Sequence, residues 1–400
     1  MAAGCLALAA CTFGHAASDT AWVERLQADL AQIDAQGKPR IGVYVRDLDS
    51  GATASYKADE TWYLASTVKL PVALLVLSGI QQGAYTLDTP LTLRASDYVD
   101  GAGPTNSHLA GTPLTIRYLL DQMMIYSDNT ASDMLIGLVG IRNVNALVQS
   151  LVPSGFQPIT SLADVRRHMY SQLTPAAIRL SGHDFLLLKQ QRSDADKRAM
   201  LSRLVQVSTQ DFRLRSVAEA FDAYYATGLN SARLDAYGQL LELAVTGRVL
   251  DAARTTYLVE LMERVKTGPN RIKAGLPADV RFAHKTGTQS ARTCDSGVVT
   301  VPRLGRDRKV VVAACTKGDL SVTGSDRALR QVGAAICRSG VLGARAASHE
   351  PNCFADGAYV PRADPDVLPD VVADEGQPIR ADSGHGGGGG AGVGAGAARH

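Results

Sequence analysis

The chain has 400 residues, 46% of them hydrophobic and 20% charged, a composition that can bury at least one large core. A net charge of +2, with no basic runs interleaved with aromatics, argues against nucleic acid or an anionic membrane surface as a partner. No stretch of about 20 apolar residues, the length needed to span a bilayer, is present.

The chain begins with a short apolar segment of small residues, Met1 to Cys11, which reads as the end of an export signal occupying about residues 1–18. Leu8-Ala9-Ala10-Cys11 resembles a lipobox, with lipidation expected at Cys11; ordinary cleavage near Ala16 is the alternative. A periplasmic or secreted location follows from either. Asp19 to Gly37 has the pattern of an amphipathic helix, with Trp22, Leu26, Leu30 and Ile33 on one face. Arg40–Leu48 and Ala52–Lys57 read as a hairpin about Asp49-Ser50-Gly51. An almost unbroken apolar helix runs from Ser66 to Gly79 or Gly83. A Gly/Pro-rich loop at Tyr98–Pro104 precedes helices at Thr115–Ile125, Thr130–Leu138 and Val144–Leu151.

Further helices are expected at Arg179–Gln191, Asp194–Val207, Leu214–Tyr225, Ala236–Thr246 and Ala252–Lys266. The period then changes to strands at Val280–Thr288, Asp295–Val301 and Lys309–Thr316, closed by a helix over Ser325–Cys337. Strands from both chain ends with helices between them predict an α/β domain (19–60 and 260–342) plus an all-α domain (61–259). The aperiodic Gly- and Ala-rich segment 343–400 reads as a disordered tail.

Three clusters carry chemistry. Ser66 and Lys69 lie three apart at the head of the buried helix, so both rise on one face. A desolvated lysine near the positive end of a helix dipole deprotonates more easily and can activate Ser66 as a nucleophile. The same spacing also suits an N-capping Ser and a snorkelling Lys. Ser127-Asp128-Asn129, between two apolar helices, reads as a polar site element or as a turn and N-cap. Lys285-Thr286-Gly287-Thr288 lies within a strand, where a Gly marks close backbone approach and a Lys can hold an anion. A second Lys-Thr-Gly, Lys266-Thr267-Gly268, precedes Pro269 and reads as a helix stop.

S-x-x-K, S-D-N and K-T-G, in this order, resemble the signature of class A β-lactamases and penicillin-binding proteins. The 61-residue step from Ser66 to Ser127 and the flanks Leu70–Ala73, Ile125–Ala131 and Arg271–Ala278 are similar to class A segments. The resemblance implies an antiparallel sheet flanked by helices, with a helical insertion at about 153–230. It implies that Ser66 attacks a lactam carbonyl, Lys69 assists its deprotonation and Ser127 passes a proton to the leaving nitrogen. It further implies that Asn129 binds the substrate's side-chain amide and that Lys285, Thr286, Gly287 and Thr288 bind its carboxylate. The backbone N–H groups of Ser66 and Thr288 form an oxyanion hole in this reading. The partner implied is a small β-lactam, with no cofactor and no metal, and the chain is expected to be monomeric.

Class A enzymes also carry a Glu, in an E-x-x-L-N loop, that activates the deacylating water. The chain has no such motif. Glu219, the one Glu between Asn129 and Asn230, is the candidate base, its alternative being a surface Glu on an amphipathic helix. Three functions remain in view: a class A-like β-lactamase, a D-Ala-D-Ala peptidase, esterase or slowly deacylating penicillin-binding protein, and a wall-binding pseudo-enzyme. Arg292 is a further candidate for the substrate carboxylate, or an exposed hairpin Arg. Beyond Cys5 and Cys11, the remaining cysteines are Cys294, Cys315, Cys337 and Cys353. Cys294 and Cys315 mirror each other about Leu304–Asp307, and read as a cross-strand disulfide or as two buried thiols.

Overall fold

The computed structural model describes residues 20–343; the expected export segment with Cys11, the tail beyond Gly343 and Cys353 lie outside them. In chain order the elements are α1 (Ala21–Asp34), β1 (Arg40–Asp47), β2 (Thr53–Tyr56), β3 (Thr61–Tyr63) and α2 (Lys69–Gln81). There follow β4 (Pro90–Thr92), β5 (Pro113–Thr115), α3 (Ile116–Ile125), α4 (Asn129–Val139) and α5 (Ile141–Leu151). The central block continues with α6 (Leu162–Ser171), α7 (Gly182–Lys189), α8 (Asp194–Val205), α9 (Val217–Ala226), β6 (Ser231–Arg233), α10 (Leu234–Val245) and α11 (Ala252–Glu263). Three long strands, β7 (Arg281–Gln289), β8 (Arg292–Val301) and β9 (Arg308–Lys317), lead to α12 (Val322–Ser339).

Five strands form one antiparallel sheet in the order β2-β1-β9-β8-β7. Because side chains alternate across a strand, Ile41, Val43 and Val45 of β1 point to one face. There they meet Trp22, Leu26 and Leu30 of α1 and Leu329, Val332 and Ile336 of α12. Tyr44, Val311, Ala313 and Cys315 point to the other face and join the helical core built around α2 and α10. Each fully buried Leu in these cores contributes roughly 1.5–3 kcal/mol. The α/β-plus-helical architecture expected from the sequence is the one observed, and among the described residues no single helix is long and apolar enough to cross a membrane.

The differences are local. Ser66 sits not in the buried helix but in a 3₁₀ turn, Ala65–Val68, that runs into α2 at Lys69. A 3₁₀ turn eclipses residues i and i+3, so the three-residue spacing still places Ser66 and Lys69 on one side. Helix α6 is not among the expected elements, because its stripe of Leu162, Val165 and Met169 is diluted by Asp164, Arg166, Arg167 and His168. The paired short strands β3–β6 and β4–β5, three residues each, are too brief for a period to show.

Candidate active site

A cavity opens between the sheet edge β7 and the helices, and the three sequence clusters meet on it. Ser66 enters from the 3₁₀ turn, Ser127 and Asn129 from the head of α4, and Thr286 and Thr288 from β7. The turn is held from behind by the buried Tyr237 of α10, whose hydroxyl donates to the Thr67 carbonyl at 2.9 Å. Ala65 and Ser127 both have left-handed backbones, φ 48° and 62°, which for non-glycine residues store about 1–3 kcal/mol each. That strain is a mark of a functional turn held by its surroundings.

The glycine in the strand, Gly287, is required by the close approach of another backbone. A Cβ there would lie 2.5 Å from the Leu64 carbonyl oxygen and 3.1 Å from the Ser66 nitrogen. The strand therefore packs directly on the Ser66 turn, bringing the backbones of Ser66 and β7 side by side. Asp128 fills the N-cap of α4 by accepting from the Ala131 N–H at 2.8 Å, and its second oxygen accepts from the Thr105 N–H at 2.9 Å. The triplet thus serves both readings: Asp128 caps, while Ser127 and Asn129 face the cavity.

Lys69 and Lys285 are fully buried beneath the cavity floor. Lys69 Nζ lies 2.5 Å from the Ser127 carbonyl oxygen, 3.2 Å from Ser127 Oγ and 2.8 Å from Asn129 Oδ1. Lys285 Nζ lies 2.9 Å from Ser127 Oγ and 3.0 Å from its neighbour Thr286's carbonyl. One hydroxyl is thereby placed between two amines. Burial lowers Lys69 to about 7, against the opposing pull of Asp128 and Asp133 and with help from Arg166. Burial likewise pulls Lys285 well below the usual lysine range, and the positive charges of Lys69 and Arg271 add to it. The site therefore holds an amine that can be neutral at physiological pH, and a hydroxyl through which a proton can pass.

The β7 side of the cavity is organised by a residue that the motif clusters do not single out. Arg271, buried, donates to Asp326 at 2.8 Å, to Thr288 Oγ1 at 2.8 Å and to the Gly287 and Cys294 carbonyls at 3.3 and 3.2 Å. Its signal is present, as an arginine in the matched Arg271–Ala278 segment. Arg292 is not in the cavity; its guanidinium lies 4.4 Å over the Tyr225 ring. The Lys266-Thr267-Gly268 segment is more than a helix stop, because Thr267 and Gly268 line the cavity and the Thr267 hydroxyl bonds that of Thr286.

Glu219 must be withdrawn as the deacylation base. It is exposed at the start of α9, where its carboxylate accepts from the Arg215 N–H at 2.8 Å and its own N–H donates to Ser216. It is a helix cap. The wall opposite is supplied by α6, which presents Leu162, Val165 and Arg166 to the cavity. Asp133 of α4 fixes the first turn of α6, accepting from the N–H groups of Leu162 and Ala163 at 2.7 and 2.8 Å. Among the described residues that line the cavity, the one carboxylate is Asp326, and Arg271 holds it.

Residues 24–339 match the profile of the β-lactamase enzyme family. β-Lactamase L2 of Stenotrophomonas maltophilia is 36% identical over 112 residues, covering 28% of this chain and 37% of that protein, so the match spans under half of this relative. An ancestral (GNCA) class A β-lactamase superposes with a TM-score of 0.59 at 23% identity, covering 78% of this chain and 98% of its own. A point mutant of PBP-A, solved as an acyl-enzyme complex with penicillin G, gives a TM-score of 0.58 at 20% identity, covering 78% and 94%. With the profile running along most of the chain and the three motif clusters converging on one cavity, the chain belongs to the β-lactamase enzyme family.

Proposed function

We propose that the protein opens β-lactam rings by acylation of Ser66 and then hydrolyses the acyl-enzyme slowly. The observation that carries this reading is Ser127 Oγ set between Lys69 Nζ and Lys285 Nζ, at 3.2 and 2.9 Å, with Ser66 and Ser127 lining one cavity. Neutral Lys69 takes the Ser66 proton as Ser66 Oγ bonds to the lactam carbonyl carbon. The C–N bond then breaks, and Ser127 delivers a proton to the nitrogen. Arg271, Thr286 and Thr288 provide the positive and hydroxyl groups that suit the substrate carboxylate.

The slow second step rests on α6. Ester hydrolysis needs a base beside the attacking water, and this wall offers Leu162, Val165 and a guanidinium. That feature favours the penicillin-binding side of the family. Location outside the cytoplasm is part of the same reading, supported by the Met1–Cys11 segment and by the Cys294–Cys315 disulfide in β8 and β9.

The test is to mix the protein with a chromogenic cephalosporin and follow colour and mass together. The expected result is a burst of one equivalent, an adduct that maps to Ser66, a slow steady state, and loss of all three in Ser66→Ala. Absence of any adduct on the wild type would refute acylation, and rapid turnover without a burst would refute slow deacylation.

A further inference from the structure

Asn129 has two partners that come from opposite directions. Its Oδ1 accepts from Lys69, and one N–H of its amide donates to the Asp100 carbonyl at 2.7 Å. Asp100 belongs to the loop over residues 98–104, and the position of that loop decides where the remaining N–H of Asn129 points. Gly101 lies so close that a Cβ would sit 2.2 Å from Asn129 Nδ2, and a Cβ on Gly103 would sit 2.2 Å from Asp128 Oδ2. The loop is thus moulded onto the Ser127-Asp128-Asn129 triplet.

Two helices of the central block grip this loop from outside. From α6, Arg166 Nε donates to Asp100 Oδ1 at 2.7 Å, a buried pair whose rupture would strand a charge. From α7, Lys189 Nζ donates to the Gly101 carbonyl at 2.9 Å. At the other end of α7, Gly182 meets the loop's backbone: a Cβ there would be 2.1 Å from the Tyr98 carbonyl oxygen. Phe185 and Leu188 anchor α7 in the core between these two contacts. A helix seated by backbone contact at one end and by a carbonyl bond at the other is built to hold the loop in place.

We propose that α7 is a positioning element for acyl side-chain recognition: it clamps the 98–104 loop onto Asn129 and so sets the amide that reads the substrate's side chain. The inference rests on the acylation proposed above. Lys189 and Gly182 touch no reacting atom and act through Asp100, Gly101 and Asn129.

The test compares Lys189→Met, which keeps the apolar stem, and Gly182→Ala, which forces a methyl against Tyr98, with the wild-type chain. Acylation rate constants are measured by rapid quench and mass spectrometry for benzylpenicillin, which carries a side-chain amide, and 6-aminopenicillanic acid, which carries none. Amide hydrogen exchange over 98–104 is read in the same proteins. The expected result is faster exchange in the loop and a loss of roughly threefold to tenfold for benzylpenicillin, the scale of one hydrogen bond, with little change for 6-aminopenicillanic acid. Equal slowing of both substrates, or no slowing with unchanged exchange, would overturn the proposal. No adduct on the wild type with either compound would instead remove the acylation reading on which it stands, and the clamp would fall with it.

Discussion

Lys69 concentrates the chemistry of the site in one titration. Its folded value is about 7 against an ordinary 10.5, so between those values the unfolded chain binds the extra proton. Stability therefore rises with pH across that window, and the burial cost is fully present below about pH 7. Lys69→Met is expected to gain most in melting temperature near pH 6, with the gain shrinking toward pH 10; calorimetry across that range checks it. Acylation should show the complementary profile, rising with pH through about 7 as the amine becomes neutral. Lys69→Arg, which cannot lose its proton, should lower the acylation rate by roughly 10²–10⁴ above about pH 7 and flatten its rise with pH, the deficit narrowing below pH 7 where Lys69 itself is protonated, as a quench assay would show. Leu162 is the other informative residue. Leu162→Glu places a carboxylate on the cavity wall at the turn that Asp133 fixes, and it should raise steady-state turnover while leaving the burst intact. If the adduct's lifetime is unchanged in that variant, α6 does not control deacylation.

At the scale of elements, the site is a junction of one strand, one 3₁₀ turn and one helix start, and its tolerance depends on how closely they approach. Gly287 is where β7 meets the Ser66 turn, and a methyl added there would sit 2.5 Å from the Leu64 carbonyl oxygen. Gly287→Ala must therefore push the turn and the strand apart, and a displacement of that size at reacting groups costs on the order of 10²-fold in rate. The adduct assay should show that loss while circular dichroism stays native. These junctions are unevenly legible in the sequence. The Ser66–Lys69 spacing survives the change from helix to 3₁₀ turn because both geometries put residues three apart on one side. Helix α6 is hidden because its buried arginine interrupts the apolar stripe, and a buried Arg166 makes sense only once Asp100 is known to face it.

For the whole molecule, the sheet carries a covalent cross-link close to the site. Cys294 and Cys315 are register partners in β8 and β9, and their disulfide closes a 21-residue separation beside the Tyr63 carbonyl, three residues before Ser66. The Cys294→Ser, Cys315→Ser double variant should lose about 2–4 kcal/mol, the range for such loops, measured by denaturant unfolding. Hydrophobic period, glycine stops and the three motif clusters sufficed to determine the five strands of the main sheet, most of the helices and the family, and they nominated Ser66, Lys69, Ser127 and Lys285 as the residues to test. Those features are local, and short-range sterics and side-chain periodicity act on them directly. The tertiary structure alone decided that Glu219 is a cap, that Arg271 and not Arg292 lines the cavity, that Thr267 and Gly268 belong to it, and that α6 presents no carboxylate to it. Each of those depends on which distant segments meet: an exposed carboxylate or a buried guanidinium has the same letter in the sequence, and only the fold's long-range contacts give it a partner.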